Sequence, residues 1–387
     1  MKYDFDKVYN RRGSGCFKYD AMKVVYGRDD LLALWVADMD FAIAPEIMNK
    51  INERIEHPIF GYNFKKPDHF DSFINYVSKK HNWKLNKDWL QMSPGIVPAI
   101  NFMVKIYTET GDGIVIQQPV YTPFKEAVVA HNRRLLVNNL VEKDGEYTID
   151  FVDLEKKLSQ SKIFIFCSPH NPIGKLWSKD ELLKIGRLCK KHKVIILSDE
   201  IHNDLVYPGA KHIPIASLED FSDFTITMMS PAKTFNIAGL QCSVVICPNS
   251  GLLDKLRKFL FDIHVYGSNA IGTIAFKAAY DVGEAWLKEL LKYLEGNRDY
   301  IYDRIAKMDG VSMKKSQATY LAWLDFRQLK LTNDDLEDLC VNKAKLALNK
   351  GVSFGEKGSG FMRLNFACPR SILVEAMNNL EKALKEL

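Results

Sequence analysis

The chain has 387 residues, a hydrophobic content of 47% and a formal net charge of +5 at pH 7. This length suits one large α/β domain and a smaller one, and the small net charge without a long basic run argues against a nucleic-acid partner. The sequence has no run of about 18 uncharged apolar residues that would predict a membrane span, and its N-terminal residues lack the apolar segment of a signal peptide.

The first forty or so residues contain few periodic runs, and we expect them to wrap the small domain or a partner subunit. The middle of the chain alternates short apolar runs, typical of buried strands, with amphipathic helical patterns such as Lys179–His192. Strands alternating with helices predict an α/β fold with a mostly parallel, doubly wound sheet, on which ligands bind at the carboxyl ends of the strands. The predicted strands are Gly113–Ile116, Arg134–Val137, Ile163–Cys167, Val194–Ser198, Phe224–Met229 and Cys242–Cys247.

From Glu284 to about Met308 the pattern turns helical, because Leu287, Leu290 and Leu294 recur at helical spacing. We interpret this as a long helix that leads into a smaller α+β domain built from both termini. The predicted organisation is an N-terminal segment at 1–45 that contributes to the small domain and to dimer contacts, a large domain at 46–284 and a C-terminal small domain at 285–387.

Lys233 is the most informative single position. The apolar run Phe224–Met229 ends at Ser230, and Lys233 follows among small and apolar residues. A lysine that is partly removed from water keeps a free amine, which is the nucleophile needed for a Schiff base with a carbonyl cofactor. A solvated surface lysine is the alternative.

Three polar residues follow other predicted strands. Asp199 comes directly after Val194–Ser198 and is either a partner for a protonated pyridine nitrogen or an ordinary helix N-cap. Asn171 lies in an Asn-Pro-Ile-Gly turn and is either a donor to a cofactor's phenolic oxygen or part of a plain turn. His202 could point at the same oxygen or be a core or surface histidine.

Three further positions suit a flat, anionic ligand. Tyr121 could stack on a ring or be a core aromatic. Ser93–Ile100 is a small-residue turn that opens a helix, whose N-terminus favours a phosphate. Arg363 stands alone in an apolar run and needs a partner, which is either a substrate carboxylate or a structural salt bridge.

The seven cysteines form no Cys-x-x-Cys pair, and an odd, widely spread set is typical of reduced thiols. We therefore expect a cytoplasmic protein without a metal site, and expect Cys242 and Cys247 to lie in the core. The cysteines are Cys16, Cys167, Cys189, Cys242, Cys247, Cys340 and Cys368.

The order of these motifs resembles the fold-type I, pyridoxal-phosphate-dependent aminotransferase superfamily. Within it, the chain resembles the MalY/PatB group of cystathionine β-lyases (C–S lyases). The resemblance runs from about Tyr3 to Arg370, and its group-level motifs are Trp35–Phe41, Phe60–Tyr62, Ser198–His202 and Arg363–Arg370.

This resemblance implies a cofactor, pyridoxal 5′-phosphate, and a role for each matching residue. Lys233 would bind the cofactor covalently, Asp199 would pair with its ring nitrogen, and Tyr121 would stack on its ring. Asn171 and His202 would hold the ring oxygen. The phosphate would be bound by Ser230, by the backbone at Ile96 and Val97, and by Tyr62 of the neighbouring subunit, which makes the active unit a homodimer.

The resemblance also implies the substrate and the reaction. Arg363, with Asn171, would bind the α-carboxylate of an amino acid, while Asp38, Met39 and Phe41 would line the substrate entrance. The implied reaction is α,β-elimination of L-cystathionine or a related S-substituted cysteine to thiol, pyruvate and ammonia, within methionine biosynthesis and amino-acid metabolism. Lys233 would act as the general base.

Two other functions stay open at this point. An aminotransferase shares the early steps and differs in where the proton returns. A cofactor-binding regulatory protein with little turnover is less compatible with the intact set of Lys233, Asp199, Asn171 and Arg363.

Two positions depart from the superfamily pattern. Gln241 replaces an arginine that many aminotransferases carry, which favours the C–S lyase group. Cys16 lies in the Arg11–Asp20 motif where another residue is usual, and its effect on substrate choice stays open, as does the preferred S-substituent.

Overall fold

The computed structural model describes residues 2–265 and 269–387. The α-helices are Phe17–Asp20, Met22–Tyr26, Pro45–Ile55, Asp71–His81, Ile96–Tyr107, Pro123–Ala130, Phe151–Leu158, Lys179–His192, Pro231–Thr234, Ser250–Asp262, Ala270–Val282, Glu284–Ile305, Asn333–Asp338 and Arg370–Lys385. Short 3-10 segments lie at Lys87–Trp89, Ile215–Ser217, Phe221–Asp223, Ala238–Leu240, Arg327–Leu329, Gly351–Phe354 and Glu356–Gly358, and a π-helical turn lies at Leu339–Lys343.

A seven-stranded sheet forms the centre of the molecule. Its strands are all parallel except Ser243–Ile246, which runs antiparallel to both of its neighbours. This architecture confirms the predicted α/β fold with a mostly parallel sheet. In spatial order the strands are Leu90–Ser93, Ser243–Ile246, Thr225–Met229, Ile195–Asp199, Ile163–Cys167, Gly113–Gln118 and Arg134–Asn139.

Helices cover both faces of this sheet because its central strands are apolar on both sides. Along Ile163–Cys167, alternate residues belong to two separate cores. One core contains the apolar faces of helices Ile96–Tyr107 and Ser250–Asp262, and the other contains those of Phe151–Leu158 and Lys179–His192. A doubly wound sheet with a two-sided core requires strands of this composition.

The predicted strands lie within one or two residues of the observed ones at each end. The largest extension is at Gly113–Gln118 and Arg134–Asn139, each two residues longer than predicted. Strand Ile195–Asp199 is shifted by one residue, so Asp199 is its last residue rather than the residue after it. The edge strand Leu90–Ser93 was not predicted.

A second, antiparallel sheet of four strands follows the long helix Glu284–Ile305. The N-terminal strand Leu32–Ala33 pairs with Leu346–Ala347, and so the first residues of the chain are attached to the C-terminal region. The domain limits given above stay a prediction, and their ranges include residues 1 and 266–268, which lie outside the described residues. In spatial order the four strands are Ser312–Met313, Leu321–Asp325, Phe361–Asn365 and Asn349–Lys350.

Across the two described ranges, no helix combines the length and the apolar character needed to cross a membrane. All seven cysteines are free thiols, and Cys242 and Cys247 are buried in the core.

Candidate active site

A cavity of about 460 Å³ opens at the carboxyl ends of the central strands. It lies between this sheet edge, the start of helix Ile96–Tyr107 and the antiparallel sheet that carries Arg363. The predicted residues that line it are Ile96, Val97, Tyr121, Asn171, Asp199, His202, Ser230, Lys233 and Arg363.

Lys233 lies in the one-turn helix Pro231–Thr234, which Ser230 caps by accepting a hydrogen bond from the Ala232 N–H at 3.1 Å. The Lys233 ammonium nitrogen donates to the Ala37 carbonyl at 2.5 Å. Burial lowers the pKa of Lys233 to about 8, although the nearby Asp38 carboxylate acts in the opposite direction. A far larger fraction of this amine is therefore neutral near neutral pH than for an ordinary lysine, and that fraction is available as a nucleophile or base.

Asp199 ends the strand Ile195–Asp199 and is buried. Its Oδ1 accepts the Ile201 N–H at 3.1 Å. Burial raises the pKa of Asp199 to about 7. A cationic group beside this carboxyl would restore its ionised form, because opposite charge offsets the cost of burial.

Arg363 lies on strand Phe361–Asn365 and is 4% exposed. Its guanidinium donates to Asn171 Oδ1 at 3.1 Å, to Asn349 Oδ1 at 2.6 Å and to the Trp35 carbonyl at 2.9 Å. Within residues 2–265 and 269–387 no carboxylate forms a salt bridge with it, so the structural ion pair considered from the sequence is not what holds it. Burial lowers the pKa of Arg363 to about 10.

Two buried nitrogens on the cavity wall have no hydrogen-bond partner among the described residues, and they are Arg363 Nε and His202 Nδ1. Burial lowers the pKa of His202 to about 3, and so its imidazole is neutral. Unpartnered buried donors or acceptors cost free energy, which a polar, anionic ligand would recover. Burial also raises the pKa of Tyr121, whose ring faces the same cavity.

The opposite end of the cavity is formed by a helix N-terminus. Gly95 is the N-cap of helix Ile96–Tyr107, so the first N–H groups and the positive end of the helix dipole face the cavity. The Ser230 hydroxyl lies nearby but donates to the Cys242 carbonyl at 2.6 Å. A phosphate at this end would be held mainly by the helix backbone.

Four predicted residues do not line this cavity. Asp38, Met39 and Phe41 line an adjoining cavity, which shares Phe17 and Ala238 with the first. Asp38 is paired there with Arg11 at 2.7 Å. Tyr62 is fully exposed and belongs to neither cavity, so a single chain does not bring it to the site.

The structure adds wall residues that the sequence did not predict as functional, among them Asn349 and Trp35. Asn349 has no local signal in the sequence, because it is brought beside Arg363 by the pairing of strands Asn349–Lys350 and Phe361–Asn365. Trp35 belongs to the motif Trp35–Phe41, but it holds the Arg363 guanidinium through its main-chain carbonyl rather than through its side chain.

Comparison with known proteins assigns a family to this fold and site. The model of the aminotransferase class I and II family matches residues 29–380, and the chain belongs to that family. It is 42% identical to cystathionine beta-lyase PatB of Bacillus subtilis (strain 168) over 98% of this chain and 100% of the relative. It is 34% identical to protein MalY of Escherichia coli (strain K12) over 99% of each chain.

Among solved structures, cystalysin from Treponema denticola, which contains a pyridoxal 5′-phosphate cofactor, superposes with a TM-score of 0.95. The two chains are 35% identical, and the match covers 100% of each. These findings confirm the predicted resemblance to the MalY/PatB group and the predicted fold class.

Proposed function

We propose that this protein is a pyridoxal-phosphate-dependent carbon–sulfur β-lyase that cleaves L-cystathionine or a related S-substituted cysteine to thiol, pyruvate and ammonia. The observation that carries this proposal is that one cavity is lined by three buried charged residues. They are Lys233, whose pKa is lowered, Arg363, which has no carboxylate partner among the described residues, and Asp199. The curated relatives named cystathionine beta-lyase support the same reaction.

The residues present fit the cofactor. When bound, pyridoxal phosphate supplies a ring that withdraws electrons from the substrate's Cα. Asp199 would hold a proton on the ring nitrogen, and the ring's positive charge would keep this carboxyl ionised. His202 Nδ1 and the Asn171 amide would bind the ring oxygen, and Tyr121 would stack on the ring. The N–H groups of Ile96 and Val97 would bind the phosphate.

The protein's own groups account for substrate orientation and proton transfer. Arg363 would bind the α-carboxylate, because a guanidinium with an unpartnered Nε can form a paired contact with a carboxylate. Lys233 would remove the Cα proton with its neutral amine, whose lowered pKa suits a base near neutral pH. The leaving thiolate would depart toward the adjoining cavity lined by Asp38, Met39 and Phe41.

An assay of products tests this proposal against an aminotransferase. Purified protein would be incubated with pyridoxal phosphate and L-cystathionine without a keto acid, and pyruvate and free thiol would be measured. We expect equal amounts of both over many turnovers, and loss of both in Lys233→Ala. Activity that appears only after a keto acid is added would instead identify an aminotransferase.

Assembly and location follow as parts of the same proposal. We infer a homodimer whose sites are completed by Tyr62 of the partner subunit, because Tyr62 is exposed and apart from the cavity in one chain. We also infer a cytoplasmic enzyme of methionine biosynthesis, a location with which seven free thiols are compatible.

A further inference from the structure

An irregular segment, Trp35–Asp38, runs beside the cavity, whose wall includes its first three residues, and two of its carbonyls bind functional side chains. We call it the strap. The Trp35 carbonyl accepts from Arg363 at 2.9 Å, and the Ala37 carbonyl accepts from Lys233 at 2.5 Å. The main chain of the strap is therefore in direct contact with Lys233, the proposed base, and with Arg363, which is proposed to bind the substrate carboxylate.

Side chains from the C-terminal region hold the orientation of these carbonyls. The Asn365 amide donates to the carbonyls on either side of Ala37, those of Val36 and Asp38, at 2.6 Å each. The Tyr320 hydroxyl donates to the Ala37 carbonyl itself at 2.8 Å. A carbonyl oxygen has two lone pairs, so Tyr320 and Lys233 together fill the capacity of Ala37.

Tyr320 is well placed to make this contact. Its side chain is wholly buried, and its ring lies edge-on to His202 with centroids 6.0 Å apart. Burial raises the pKa of Tyr320 well above its ordinary value, so the hydroxyl stays protonated and can donate. Nothing in the proposed roles of the cavity residues uses this hydroxyl.

The residue before Tyr320 has a strained backbone. Thr319 is β-branched yet has φ of 69°, a region that such residues rarely adopt. Three hydrogen bonds hold it there: its N–H donates to Leu205, its carbonyl accepts from Tyr207 and its hydroxyl accepts from Leu321. Strain that is held by surrounding contacts is characteristic of functional positions, and the strained residue here directly precedes Tyr320 in the chain.

We propose that Tyr320 is a positioning residue for Lys233: its hydroxyl fixes the Ala37 carbonyl, and that carbonyl orients the Lys233 amine toward the substrate's Cα proton. The proposal rests on the proposed function only in taking Lys233 as the base that removes this proton. It does not depend on whether a thiol leaves afterwards.

The test compares Tyr320→Phe with Tyr107→Phe. Each substitution removes one phenolic hydroxyl that donates to a main-chain carbonyl. In the control, the Tyr107 hydroxyl donates to the Leu252 carbonyl at 2.7 Å. Tyr107 ends the helix whose first residues line the cavity, and so it lies at the far end of that helix from the site. Two quantities are measured. The first is the exchange of the Cα proton of L-alanine in D2O by the pyridoxal-phosphate-loaded protein, since alanine has no leaving thiol. The second is amide hydrogen exchange of the strap peptide in the protein without cofactor.

We expect Y320F to slow alanine exchange by about tenfold or more, because a small displacement of a catalytic group has effects of this size. We also expect faster amide exchange in the strap peptide, with a shift in thermal unfolding no larger than that of Y107F. Rates equal to those of Y107F in both measurements would overturn the proposal.

The same experiment separates the two proposals. Wild-type protein that exchanges alanine but releases no pyruvate from cystathionine would refute the lyase function and leave the role of Tyr320 intact. Alanine exchange that continues at the wild-type rate in Lys233→Ala would refute Lys233 as the base, and the role of Tyr320 with it.

Discussion

At the scale of single residues, the pKa of Lys233 makes a direct prediction about cofactor capture. Only the neutral amine attacks a carbonyl, and burial lowers the pKa of Lys233 to about 8 from an ordinary value of 10.5. The rate at which cofactor-free protein captures pyridoxal phosphate should therefore rise with pH and level off above about pH 8. Stopped-flow absorbance would measure it, with free N-acetyl-lysine as the reference for the cofactor's own ionisation.

Two results would contradict this expectation. A midpoint near the value for free lysine would mean that the amine is not desolvated, and a pH-independent rate would mean that proton loss does not limit capture. Lys233→Ala should show no covalent capture at any pH, which controls for non-specific binding at surface lysines.

Some site residues were predictable from the sequence because their chemistry conflicts with their surroundings. Lys233 is a charged group among small and apolar residues, Arg363 is one within an apolar run, and Asp199 is a carboxylate where a buried strand ends. Tyr320 and Asn349 carry no such signal, because their contacts are made to carbonyls or side chains far along the chain. Such contacts appear only once the strands are paired. The roles assigned to all these residues stay predictions until the variants are measured.

At the scale of elements, helix Lys179–His192 contains a glycine, Gly186, at a position where close packing leaves no room for a side chain. A Cβ at Gly186 would lie 2.2 Å from the Phe221 ring, so the helix approaches that ring too closely for any side chain. We expect Gly186→Ala to lower the free energy of unfolding by about 1–3 kcal/mol, despite alanine's higher helix propensity, because overpacking outweighs it.

Gly296, within helix Glu284–Ile305, provides the matched control. A Cβ there meets only the end of the Arg370 side chain, at 3.3 Å. Gly296→Ala should leave the free energy of unfolding unchanged or raise it by up to about 1 kcal/mol. Urea denaturation of both variants measures the change in the free energy of unfolding. Equal changes for the two substitutions would show that helix propensity alone determines the stability of these variants.

The same elements show how far a sequence pattern can predict a fold. The central strands were predictable because burial on both faces requires continuous apolar runs, as in Ile163–Cys167. Leu90–Ser93 is a short edge strand with an interspersed glutamine, and its pattern is not distinct from a loop. The antiparallel direction of Ser243–Ile246 depends on its connection to the rest of the sheet and has no local signature.

At the scale of the whole molecule, one region of the surface is unusually apolar. Residues 59–64 include four exposed large apolar or aromatic side chains around the motif Phe60–Tyr62, namely Ile59, Phe60, Tyr62 and Phe64. Several large apolar side chains exposed along one short segment are typical of an interaction site. Together with the absence of Tyr62 from the cavity of its own chain, it favours a dimer in which each subunit completes the other's site.

Hybrid dimers would test this arrangement. Lys233→Ala and Tyr62→Ala would each be expected to impair activity strongly as homodimers, the first by removing the base and the second by removing a phosphate contact. In a hybrid of the two variants, one site would contain an intact Lys233 and an intact Tyr62 from the other subunit. Co-expression with random pairing should then restore about a quarter of wild-type activity, since half of the dimers are hybrids with one working site of two.

Tyr107→Ala co-expressed with Lys233→Ala controls for effects of mixing on stability, because Tyr107 lies away from the cavity. Sedimentation would establish that each sample is dimeric. If Tyr62 instead acts on the site of its own chain, the hybrid contains no site with both residues intact. Activity in the Tyr62→Ala and Lys233→Ala mixture would then stay at the level of the separate variants, and the proposed exchange of Tyr62 between subunits would be wrong.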